Sequence, residues 1–194
     1  MRPARLFSVL LAAFFVAACS GGRQLESVLW PETGGEYYPV VKKWTRVDES
    51  YTGMEGQVSA VATLKTREWR RAYTREKSAL FHWDEEKKER FARTMQENAK
   101  KNTEFFLAVH GSDKDHAQLE YNSQLWEVFL NTADGERVYP LGIREVETPL
   151  AEQVHFFPYV NRWKKTYTLT FPKVREQGVS LIITGPAGKL ALNW

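Results

Sequence analysis

The chain has one cysteine, Cys19, in 194 residues, so no disulfide can close within it. Exported domains of modest size commonly use paired cysteines as staples. Without them, this fold has to stand on its hydrophobic core alone, and neither a cysteine protease nor a thiolate-held metal can be built. The composition permits such a core. Apolar residues make up 43% of the chain and charged residues 26%, the balance of an ordinary globular protein rather than a disordered one. Seven tryptophans within a 13% aromatic share call for large buried rings, with some left over for a contact surface.

The surroundings of that cysteine carry an address. Arg2 and Arg5 precede an apolar run from Leu6 to Val16, and the small residues Ala17 and Ala18 follow. Charged, apolar and small, in that order, is the pattern of a secretory signal. The apolar run of about 11–13 residues falls short of the roughly 20 needed to cross a bilayer as a helix. Val16-Ala17-Ala18-Cys19 resembles the lipobox of bacterial lipoproteins. Membership would imply a cut between Ala18 and Cys19 and lipidation of the Cys19 thiol. At ~0.8 kcal/mol per buried methylene, two or three acyl chains would hold the protein durably where one would not. Ser20 stands where lipoproteins kept in the inner membrane often have Asp, so the resemblance implies the outer membrane in a Gram-negative host.

Three stretches follow from this: a lipoprotein signal at 1–18, a lipidated tether at 19–36 rich in glycine, and one domain at 37–194. Lys and Arg number 27 against 24 Asp and Glu, and two of the arginines lie in the signal. So even a balance gives no electrostatic case for nucleic acid.

Within the domain the hydrophobic period alternates between 2 and 3.6. Residues 38–51 and 57–64 read as strands, with Val58, Ala60, Ala62 and Leu64 on one face. Thr66 can cap one helix and Asp84 a second, giving a helical insertion at about 67–101 whose second, mostly charged helix is expected to cover an edge or end of the sheet. Short strands then return at 104–110, 124–131, 137–147, 165–171, 179–184 and 189–194. Pro140 marks its run as an edge strand. The expected fold is mainly β, an antiparallel β-sandwich with an inserted helical pair, with immunoglobulin-like as its finer version.

The strong catalytic motifs are missing. His82, His110, His116 and His155 are scattered, with no His-Glu-x-x-His pair, no nucleophile elbow and no phosphate-cradling loop. Asp113, Asp115 and His116, with Glu120 nearby, form the most site-like polar cluster, whose alternate oxygens could hold a cation. Lys114 would repel one, and a polar turn between buried strands is the plainer reading. Ser112, His110 and Asp113 contain the triad residue types, yet lie too close in sequence to converge.

The segment from His155 to Lys165 combines Phe156, Phe157, Tyr159 and Trp163 with Arg162. Interfaces favour these residue types, so the five form a candidate binding surface. For Phe156, Phe157 and Trp163, plugging one end of the core is the plainer role. The anchor, the fold pattern and the missing catalytic motifs lead to the expectation of a non-enzymatic envelope protein that docks a protein partner or supports an assembly, with the membrane engaged through Cys19 and no cofactor required. The alternative is a module stacking envelope glycans on Tyr37, Tyr38, Trp44, Tyr159 and Trp163, and a metal-assisted hydrolase around Asp113 comes third.

Overall fold

The computed structural model describes residues 30, 35–52, 56–112, 117–119, 125–186 and 188–194. Cys19 and most of the tether lie outside these, as do Asp113, Asp115, His116 and Glu120.

The described chain is mainly β, with two antiparallel sheets and four helices. The first sheet runs β1 (Thr45–Thr52), β2 (Gly56–Leu64), β3 (Asn102–Gly111), β7 (Lys165–Pro172) and β6 (Gly142–Glu145), each hydrogen-bonded to the next. The second runs β5 (Arg137–Val138), β4 (Glu127–Asn131), β8 (Ser180–Gly185) and β9 (Gly188–Asn193). The expected strand at 137–147 is thus two strands in different sheets. Each is an edge, and Pro140, which cannot donate to a ladder, lies at the crossing between them.

One face of each sheet feeds a single apolar cluster. Val58, Ala60, Ala62 and Leu64 of β2 join Phe105, Leu107 and Val109 of β3, Tyr167, Leu169 and Phe171 of β7, and residues from β4, β8 and β9. The opposite face of the five-stranded sheet is buried too. Val61, Phe106 and Ala108 pack there against a second cluster drawn from helices and loops. Burial on both faces explains why 104–110 reads as a continuous apolar run instead of an alternating one.

Four helices complete the described residues: α1 (Tyr37–Lys43), α2 (Arg67–Leu80), α3 (Glu85–Lys101) and α4 (Leu150–Phe156). The inserted pair starts where the caps predict. Thr66 Oγ1 accepts from Trp69 N at 3.2 Å, and Asp84 Oδ1 accepts from Lys87 N at 2.7 Å. Trp69 and Ala72 of α2 lie in the cluster over the sheet face, and α3, expected at an edge or end of the sheet, packs on α2 instead.

A second correction concerns 38–51, which is a helix followed by a strand. Tyr-Tyr-Pro-Val-Val has the composition of a strand, but Pro39 falls in the first turn of α1, where its missing N–H breaks no bond. Tertiary contacts then hold the turn down. Tyr37 Oη donates to the Phe156 carbonyl at 3.1 Å and Tyr38 Oη to that of His155 at 2.9 Å. Among the described residues no helix is long and apolar enough to cross a membrane.

Candidate functional site

Residues 150–165 pass from the helical layer back into β7, and their rings divide sharply. Phe156, Phe157 and Tyr159 are buried in the second cluster. Phe157 lies flat on Phe106 with 3.6 Å between ring centroids, and it also stacks on Trp69 at 5.9 Å. The Tyr159 hydroxyl shares a 2.6 Å hydrogen bond with Thr63 Oγ1, and burial pushes that phenol well above its ordinary pKa against the opposing effect of this bond. These three rings plug the layer between sheet and helices and present no surface.

Arg162 and Trp163 are outside that layer. Trp163 is 72% exposed, the most exposed large apolar side chain among the described residues. It sits on a held turn. Asn161 Oδ1 accepts from Trp163 N at 2.9 Å, Lys164 N donates to the Asn161 carbonyl at 3.2 Å, and the Trp163 carbonyl lies 3.2 Å from His110 Nδ1 on β3. Asn161 acts through the side-chain-to-backbone bond that favours it in turns. Arg162, the residue before Trp163, is exposed as well, with no ion-pair partner among the described residues. Of the five candidate residues, the fold brings two to the surface together.

The rings named for glycan stacking fare similarly. Tyr37, Tyr38 and Tyr159 are buried, and Trp44 is half-buried with its indole nitrogen donating to Glu68 at 2.9 Å. Only Trp163 of the five is free to stack on a sugar.

His110 and Ser112 are the described part of the polar cluster. Ser112 closes the β2–β3 pairing, its N donating to the Gln57 carbonyl at 2.9 Å. Asp113, Asp115, His116 and Glu120 lie outside the described residues. Among the described residues no three His, Cys, Asp or Glu side chains gather as a metal would require. His155 Nε2 pairs with Glu76 Oε1 at 2.9 Å, and His82 occupies a turn at φ 48°.

Two features escaped the sequence. A groove of about 460 Å³ runs between α2 and α3. Arg67, Arg71 and Arg75 recur every four residues along its α2 wall, and Lys88 and Lys100 stand on the α3 side. That i, i+4, i+8 spacing was visible in the sequence as a one-sided stripe, obscured by the mixed charges of α3. The other is Lys65, whose amine lines a cavity of about 130 Å³ walled by Trp69, Tyr73, Phe106, Phe156 and Phe157. Burial pushes this amine down to about 8, opposed by Glu104 and helped by Arg70. Its hydrogen bond is to Thr168 Oγ1 at 3.4 Å, and no carboxylate pairs with it among the described residues.

The chain matches no protein family model, no curated protein sequence and no solved structure.

Proposed function

We propose that this chain is a lipid-anchored, non-enzymatic protein of the bacterial cell envelope, held through Cys19 and docking another envelope protein with the Arg162–Trp163 turn. In a Gram-negative host its membrane is the outer one, by the sorting pattern at Ser20.

One observation carries the docking surface: a tryptophan 72% exposed on a hydrogen-bonded turn. Water is a poor home for so large a ring, and sealing it in a partner's pocket is worth about 2–4 kcal/mol. A turn already held in place adds little ordering cost on binding. Arg162 beside it favours a partner whose apolar pocket is rimmed by carboxylates, and Trp with Arg is the pairing that dominates interface hot spots.

The domain behind this surface is read as a β-sandwich, because one apolar cluster is shared by inward faces of both sheets. The immunoglobulin-like version has less support. That fold places its second and third strands in different sheets, whereas β2 and β3 are neighbours in one. Glycan stacking is left with Trp163 alone.

The test is a photoreactive residue in place of Trp163 in the native host, with a second at Glu89 on α3 for comparison. A discrete protein adduct from position 163, weakened by Arg162→Glu, is expected. Lipidated protein that yields no adduct from 163 would overturn docking there and leave small envelope ligands to be tried.

A further inference from the structure

The groove between α2 and α3 is built for something anionic that is also partly apolar. Arg67, Arg71 and Lys100 have no acid within ion-pair distance among the described residues. Among the described residues, Arg75 is held only by Glu36, at 3.2 Å and highly exposed, and Lys88 only by Glu85 at 3.1 Å. Exposed pairs of this kind are weak and open readily to a better anion. The other acid on the rim, Glu89, is turned to Arg93 at 3.6 Å. Beneath the cations, Ala92, Met95 and Ala99 give an apolar floor. A soluble phosphate would use the rim and leave that floor wet. A phospholipid would use both, its phosphate on the arginines and the first part of its chain along the floor.

The path of the chain says which occupant is at hand. Glu36, the last residue of the tether, pairs with Arg75 on the groove wall, and the Tyr37 ring that follows lies 6.5 Å from that of Tyr73 on the same helix. The polypeptide therefore enters the domain beside the groove. The turn joining α2 to α3, at the Arg75–Glu85 end, carries Leu80 and Phe81 exposed, with Phe81 stacked on Trp83 and Lys87 set 4.8 Å over the Trp83 ring. Aromatic rings flanked by cations suit the headgroup layer of a bilayer.

We infer that the α2–α3 groove binds the headgroups of anionic phospholipids, so that the helical layer lies against the membrane in which the chain is anchored. This rests on the anchoring at Cys19 proposed above, and it leaves the Arg162–Trp163 turn to a protein partner.

The full lipidated chain, reconstituted in vesicles with a photoreactive residue replacing Ala92, separates the two ideas. Retention by vesicles of phosphatidylcholine alone reports the acyl anchor. A phospholipid adduct from position 92 reports the groove. About tenfold more adduct is expected when phosphatidylglycerol is mixed in, falling as salt is raised. The combined Arg67→Glu, Arg71→Glu and Arg75→Glu variant should lose this gain, while the three Arg→Lys changes keep it and control for folding. Retention with equal adduct in both vesicle types, or with none in the anionic ones, would overturn the groove and leave the anchor standing. Adduct confined to anionic vesicles without retention by neutral ones would uphold the groove and overturn the anchor.

Discussion

Arg70, buried in the helical layer, donates to the Glu104 carboxylate at 2.6 Å and so ties α2 to β3. Its Nε also donates to the Lys65 carbonyl at 2.9 Å. A buried pair costs heavily in desolvation, so its main effect shows when only one partner is removed. Glu104→Ala is expected to destabilise the domain by about 3–5 kcal/mol, by stranding the guanidinium. Replacing both, as Arg70→Met with Glu104→Leu, should cost far less than the sum of the single changes. Urea melts of the three variants check this, and a double change that costs as much as the two single changes together would refute it.

Lys65 makes stability depend on pH in an unusual direction. Its folded pKa, about 8, lies below that of the unfolded chain, so the unfolded state binds more protons between the two values. Stability should rise as pH climbs from about 8 towards 10. Above that the buried phenols of Tyr37 and Tyr159, both raised by burial, reverse the trend, because the unfolded chain loses those protons first. Lys65→Met should flatten the rise. Denaturation midpoints across this range, unchanged by the substitution, would count against it.

Gly185 closes β8 where a side chain has no room. A Cβ there would run into the Leu125 carbonyl oxygen and the Trp126 ring. Gly185→Ala should cost about 1–3 kcal/mol by overpacking. Gly142→Ala, where a Cβ meets nothing within 4 Å, serves as the control in the same thermal melts. Equal melting temperatures for the two would show that the 185 site relaxes.

Cys19→Ser should leave the domain folded and abolish lipidation and membrane retention, since no disulfide depends on this residue. Mass spectrometry of the mature chain and membrane fractionation after a high-salt wash check it. Full retention of the variant after that wash would contradict the anchor.

What the sequence made legible was whatever depends on near neighbours. Thr66 and Asp84 announced their helices, because a cap is a contact over three residues. Thr166, Thr168 and Thr170 alternating with Tyr167, Leu169 and Phe171 announced β7, whose threonines turn to the helical layer, where Thr166 bonds Gln153 at 2.7 Å. What stayed hidden depends on distant partners. Tyr37 and Tyr38 become helical through carbonyls more than a hundred residues away, and α4 was missed for the same reason. The exposure of Trp163 beside the burial of Phe157 could not be told from composition, since either ring could have filled the core.

The junction at Trp44 bears on how the domain meets mechanical load. The Trp44 carbonyl accepts from Leu64 N at 3.0 Å, in the first sheet, and from Trp194 Nε1 at 2.8 Å, beside β9 of the second. Two residues on, Arg46 Nε donates to the Asn193 carbonyl at 2.7 Å. A pull applied ahead of α1 would load both sheets together through this junction. The two sheets are therefore expected to resist such a pull as one unit.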